Sequence, residues 1–169
     1  PFCPVAALPE PGSYVARSSA GVPIVVVRDQ EGTIRAFRNA CRHRGMQLAD
    51  GAGCTKIFRC NYHGWAYRLD GRLEYVPHEH GFPALDKADN GLVPLHSVDI
   101  QSSLVFVTQD EPVGLGALES LPDLLTDDQV IFESEEKVEE INCKLTAERT
   151  LEGYHIKPTH EKTFYPYGF

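Results

Sequence analysis

"CRHRGMQLADGAGCTKIFRCNYHGW", residues 41 to 65, contains two loops of one kind. Cys41-x-His43 is closed by Gly45, Cys60-x-x-His63 is closed by Gly64, and sixteen residues separate His43 from Cys60. A thiolate beside an imidazole in a glycine-bearing turn is a pair of metal donors, and this chain makes the pair twice. Zinc fingers place their cysteines together and their histidines together, whereas each loop here carries one of each. That division suits a two-iron cluster, with Cys41 and Cys60 on one iron and His43 and His63 on the other. A four-coordinate zinc ion is the alternative open at this point.

The donor types have a physical consequence. Two neutral imidazoles in place of two anionic thiolates make a cluster less negative, which raises its reduction potential and links reduction to proton uptake. Gly45 and Gly64 are expected to let the backbone turn sharply and to aim N–H groups at the sulfides. Tyr62 and Trp65 stand to shield the cluster, to form a docking face, or simply to pack their loop. Arg42 and Arg44 either steer an acidic electron donor or are solvated loop charges.

Composition narrows the class. The 169 residues suffice for one good core and part of another. No run approaches the ~20 apolar residues of a membrane span, and the first residues lack the shape of a secretory signal, so a soluble cytoplasmic protein is expected. The net charge of −8 argues against nucleic acid as a partner. Up to Pro112 there are 11 basic and 12 acidic residues, and from Val113 onward 5 and 12, so a boundary is expected near residue 110. Five cysteines, at 3, 41, 54, 60 and 143, are an odd and irregular set that fits ligation better than a disulfide framework. A start at Pro1 and an end at "TFYPYGF" lead us to expect further sequence at both ends.

Short alternating runs predict strands over 13–18, 23–29, 33–39, 56–60, 66–70, 92–100 and 103–109, with "DQEG" (29–32) turning the second into the third. The expected class is mostly β, an antiparallel sandwich or barrel. Residues 111–129 read as a linker with one short helix, 130–142 as an acidic strand, and 142–156 as a helix capped by Asn142 and stopped by Pro158.

Residues 5 to about 110 resemble the Rieske domain of the ring-hydroxylating, Rieske non-heme iron oxygenases, in "LPEPGSYV" (8–15), "CRHRG", "CNYHGWAY" (60–67) and "DGRL" (70–73). The Rieske protein of respiratory cytochrome bc complexes is a poorer match. Its loops carry an extra cysteine each, where this chain has Met46 and Tyr62. The resemblance implies a [2Fe–2S] cluster of low potential, held by Cys41, His43, Cys60 and His63. It divides the chain into a Rieske domain (1–110), the linker (111–129) and the α+β opening of a catalytic domain (130–169).

The second part, "NCKLTAERTLEGYHIKPTH" (142–160), is similar to the family's pattern at the start of that catalytic domain. Two histidines and a nearby carboxylate suit a mononuclear iron(II) with open positions. The resemblance implies that His155 and His160 are iron ligands. It implies that Glu152, read as lying on one helical face with His155, bridges the iron to a Rieske histidine of a neighbouring subunit in a cyclic trimer or α3β3 assembly. Cys143 and Arg149 depart from the family, which has tryptophan and asparagine there, and Arg149 stands to reshape the pocket or bind an acidic substrate group. The third ligand is expected beyond this sequence, since Glu161 beside His160 diverges from it. The implied activity takes NAD(P)H electrons through a flavin reductase, with or without a ferredoxin, to hydroxylate or demethylate an organic substrate with O2. A pure electron-transfer module is the competing reading. His78, His80 and His96 read as loop or surface residues.

Overall fold

The structure, a computed structural model, describes residues 1–100, 104–110, 125–126, 128–133, 135 and 140–167. The chain separates into two compact units, Pro1–Phe132 and Glu133–Phe169.

The first unit is antiparallel β. Its strands are β1 (Cys3–Pro4), β2 (Ser13–Ser19), β3 (Val22–Arg28), β4 (Ile34–Arg38), β5 (Gly51–Cys54), β6 (Phe58–Arg59), β7 (Ala66–Tyr67), β8 (Leu73–Tyr75), β9 (Pro94–Ile100) and β10 (Leu104–Thr108). Seven of them form a sheet in the order β1-β10-β9-β4-β3-β2-β5, and β6-β7-β8 form a small second sheet. The expected mostly-β antiparallel class is what the chain adopts.

The interior position of β3 explains why "VPIVVVR" is an apolar run rather than an alternation. Neighbouring residues point to opposite faces. Ile24 and Val26 enter one core with Phe2, Leu8, Ala36 and Val105, while Val25 and Val27 enter the other with Phe37, Trp65, Tyr67 and Leu73. Both faces are covered, so all four side chains are buried, each contributing about 1.5–3 kcal/mol. The second core packs the small sheet against the large one and includes Cys41 and Cys60.

The expected turn after β3 is present and is built around Asp29. Its Oδ1 accepts from the N–H groups of Glu31 (2.9 Å) and Thr33 (2.8 Å), and its Oδ2 accepts from Arg35 Nε at 2.6 Å. Burial alone would raise the Asp29 pKa, but these hydrogen bonds outweigh it and hold the carboxyl below its ordinary value. A depressed carboxylate stabilises the fold above its unfolded pKa, and that contribution is lost as pH falls through the folded value. Asp29→Ala is expected to cost about 2–3 kcal/mol at pH 7 and progressively less as pH falls from neutral toward 2, as read from urea midpoints across pH. Equal losses at the two ends of that range would refute this assignment.

Several expectations are corrected. The runs 56–60 and 66–70 shorten to β6 and β7, because the loops at Cys60–Trp65 and Arg68–Arg72 take over their ends. Strand β5, "GAGC", pairs with β2 from Ser13↔Cys54 to Ala16↔Gly51 and has no apolar alternation to announce it. Of the acidic run 130–142, the described residues form no strand, and Val130 and Phe132 are exposed rather than laid against a neighbour. The helix foreseen in 111–129 and most of that linker lie outside the described residues.

In the second unit the helix is shorter than expected. Helix α1 spans Cys143–Leu151, with Asn142 capping it by accepting from the Lys144 N–H at 2.9 Å. Glu152 is already extended (φ −97°, ψ 137°), and Gly153 follows it, a residue that weakens helix continuation. A second short helix, α2 (Ile156–Thr159), then contains Pro158 in its first turn, where a missing N–H costs nothing. Among the described residues no helix is long and apolar enough to cross a membrane.

Candidate metal centre

The two donor loops fold as copies of one turn. In the first, the Cys41 N–H donates to the Met46 carbonyl (2.8 Å) and the Gly45 N–H to the Cys41 carbonyl (2.8 Å). In the second, Cys60 N–H donates to Trp65 O (2.8 Å) and Gly64 N–H to Cys60 O (2.9 Å). Gly45 and Gly64 have φ of +72° and +75°, the left-handed region that glycine enters without strain. Their expected role as turn formers holds, and their own N–H groups close the turns.

Asn39 anchors the first loop from below. It is buried, its Oδ1 accepts from the N–H groups of Leu48 (3.0 Å) and Ala49 (3.2 Å), and its Nδ2 donates to Ala49 O (2.7 Å). Tyr67, on β7, holds the start of the first loop. Its hydroxyl lies 3.2 Å from Cys41 Sγ and accepts from the Arg42 N–H at 2.9 Å. Sequence reasoning gave neither residue a role. The only signal for Tyr67 is its place four residues past His63, inside "CNYHGWAY".

The donors fall into a buried pair and an outer pair. Cys41 and Cys60 are each 3% exposed. Burial, with the Cys60 thiol beside it, pushes the Cys41 thiol pKa up, opposed by hydrogen bonds from Tyr67 and the His43 N–H. The His43 and His63 rings sit 4.6 Å apart between centroids. His43 stacks on the buried Trp65 (5.0 Å, 10°), whereas His63 is exposed and lies against Tyr62 (3.9 Å). Burial, then the neighbouring His63 and Arg44, push the His43 pKa down, which keeps the ring neutral as a ligand requires. Arg42 and Arg44 are both exposed.

One atom tests whether a metal group fits here. His43 Nδ1 is buried and has no hydrogen-bond partner, a cost that a metal bond would remove. Among the described residues no three His, Cys, Asp or Glu side chains converge on one ion. Two donor pairs, one of thiols and one of imidazoles, fit a two-iron cluster whose remaining positions sulfide would fill.

In the second unit the sequence candidates do come together, though not on one helical face. Glu152 lies past the end of α1, and its carboxylate folds back to accept from the N–H groups of Tyr154 (2.7 Å) and His155 (3.3 Å) and to pair with His155 Nδ1. The His155 hydrogen bond holds the Glu152 pKa below its ordinary value. The His155 and His160 rings are 5.7 Å apart at 71°, so α2 sets two imidazoles side by side. Cys143 begins α1 and is exposed, Glu161 is exposed, and the Arg149 side chain lies outside the described residues. His78, His80 and His96 are all exposed, as expected of surface residues.

Residues 1–94 match the family of the Rieske [2Fe-2S] domain. The biphenyl 2,3-dioxygenase subunit alpha of Rhodococcus jostii (strain RHA1) is 44% identical over 107 residues, 61% of this chain and 23% of its own length. The glycine betaine monooxygenase oxygenase subunit of Chromohalobacter salexigens is 35% identical over 159 residues, 90% of this chain and 36% of its own. The crystal structure of the quaternary ammonium Rieske monooxygenase CntA with its substrate gamma-butyrobetaine aligns with a TM-score of 0.61 at 33% identity, covering 64% of this chain and 31% of that one. This chain spans less than half the length of these relatives.

Proposed function

Because the chain belongs to the Rieske [2Fe-2S] domain family, we propose that it is the cluster-bearing part, with the opening of the catalytic domain, of an oxygenase α subunit. Cys41 and Cys60 would hold one iron, and His43 and His63 the other. The single observation that carries this assignment is the buried, unpartnered Nδ1 of His43 beside the His63 ring. The cluster supplies one-electron transfer when bound. The chain's residues fix its surroundings: Tyr67 donates to the Cys41 thiolate, Trp65 holds the His43 ring, and Asn39 keeps the first loop at its height.

His155 and His160 would supply two donors of a mononuclear iron(II), with a third to come from residues other than those described. With Nδ1 of His155 engaged by Glu152, its Nε2 is the atom left for metal, and Glu152 fixes that tautomer. The alignment over 159 residues continues well past residue 132, which supports reading the second unit as part of the same oxygenase. Electrons would come from NAD(P)H through a flavin reductase with or without a ferredoxin, steered by Arg42 and Arg44, and would reach the iron of a neighbouring subunit in a cyclic assembly in the cytoplasm. The substrate would be an organic molecule hydroxylated or demethylated with O2, and the two named relatives divide between an aromatic hydrocarbon and a quaternary ammonium compound.

Metal and sulfide content tests the reading. Two irons and two sulfides per chain are expected for the cluster, and a third iron that His155→Ala removes for the mononuclear site. A third iron unaffected by His155→Ala would refute the mononuclear assignment, and zinc without sulfide would refute the whole. O2-dependent product formation tests the activity in the full-length subunit.

Tyr67→Phe gives a finer test. A hydrogen bond to thiolate favours the more negative, reduced cluster, so its loss lowers the potential. A drop of about 40 mV, the equivalent of ~1 kcal/mol, is expected with iron content unchanged. A redox titration showing no shift would remove Tyr67 from this role.

A further inference from the structure

The segment after β8, residues 77–92, crosses beside the second donor loop and is braced along its length. Pro77 Cγ lies 3.1 Å from the position a Cβ on Gly64 would take, and the Leu92 N–H donates to Gly71 O at 2.8 Å. Between these anchors a 3-10 turn at Glu79–Gly81 is entered through His78 in the left-handed region (φ 53°). The Phe82 N–H donates to Glu79 O (2.9 Å), and Lys87 pairs with Glu79 at 2.7 Å. This bracing presents Phe82 to the site. Its ring meets His43 edge-on at 6.2 Å and 87°, and Trp65 at 6.0 Å and 84°.

Phe82 is 37% exposed and belongs to neither hydrophobic core, so core packing does not explain an aromatic residue here. Perpendicular rings at these separations are an attractive arrangement. His43 is therefore gripped on two further sides, by the face of Trp65 and the edge of Phe82, whereas His63 is exposed, with Tyr62 and His43 against its ring. We propose that Phe82 is a positioning residue of the metal centre: with Trp65 it clamps the His43 imidazole and keeps water from that side, leaving His63 as the solvent-facing ligand. The proposal rests on the cluster assignment above.

The test uses the full chain with its cluster and the variants Phe82→Ala and Phe82→Leu. Two readouts are taken: bleaching of the visible absorbance in EDTA, and deuterium modulation of the reduced cluster's pulsed EPR signal in D2O. Phe82→Ala is expected to bleach about tenfold faster, having lost two aromatic contacts, and to gain deuterium coupling. Phe82→Leu, which keeps an apolar cover, should stay within about twofold of the wild type. Wild-type protein with a cluster and Phe82→Ala with unchanged deuterium coupling would overturn the clamp, even if the variant were less stable in urea. Wild-type protein without iron and sulfide would instead overturn the cluster assignment, and the clamp with it.

Discussion

Cys60→Ser is expected to abolish the cluster, with loss of visible colour and of both cluster irons, while Cys54→Ser and Cys3→Ser leave both intact. The five thiols differ in surroundings, and the outcome follows from them. Cys41 and Cys60 begin the two equivalent turns and are buried in the core shared with the small sheet. Cys54 is exposed on β5, with its sulfur 3.9 Å from the Pro11 carbonyl. Cys3 is buried in the other core, where burial, partly opposed by Arg17, raises its pKa to about 11. Such a thiol is almost wholly protonated at neutral pH and slow to react, and its core includes neither donor loop. A metal group that binds only the folded site also stabilises it, so Cys60→Ser should lower the stability of the small sheet. Alkylation provides a second readout. Cys54 and Cys143 should react first in the native protein, Cys41 and Cys60 only after the metal is removed, and Cys3 only on unfolding. Iron and sulfide retained in Cys60→Ser would overturn the ligand assignment.

The other large effect is expected at Gly71, which joins β7 to β8. Its φ is +90°, and a Cβ there would fall 2.5 Å from Phe37 Cε1 and 2.9 Å from Cζ. Phe37 is 4% exposed within the core that holds the two cysteines, so its ring has little room to move. Asp70 and Arg72 lock the turn on both sides of the glycine, Asp70 Oδ1 accepting the Arg72 N–H at 3.0 Å and Oδ2 pairing with its guanidinium at 2.6 Å. Gly71→Ala therefore combines a strained backbone with an overpacked core, about 3 kcal/mol or more in total. Gly32→Ala is the matched control. It has φ +85° and nothing within 4 Å of the added carbon, so it should cost only the ~1 kcal/mol of strain. Equal losses in urea denaturation would mean that the Phe37 contact carries no energy.

The donor loops were readable because ligation imposes short, local spacing, and the same holds for the Asp29 turn and the Asn142 cap. What escaped depends on residues distant in sequence. Strand β5 is held by its ladder to β2, and its glycines answer to a neighbour: a Cβ on Gly53 would lie 2.8 Å from the Tyr14 hydroxyl. Asn39, Tyr67 and Phe82 act across gaps of 10, 26 and 39 residues, at Ala49, Cys41 and His43. No periodicity encodes such contacts. The long helix expected over 142–156 differs in the other sense: Glu152 and Gly153 interrupt it, whereas Pro158 sits in the first turn of α2, where a helix tolerates it.

The small sheet has only two, two and three residues in its strands, too few ladder bonds to hold together unaided. The large sheet has strands of up to seven residues and a core of its own that includes neither donor loop. The large sheet is therefore expected to fold without the metal group, and residues 56–76 to close only when that group binds. Hydrogen exchange on the metal-free protein would show slow amides in β2–β4 and rapid ones in β6–β8, with proteases cutting inside that window.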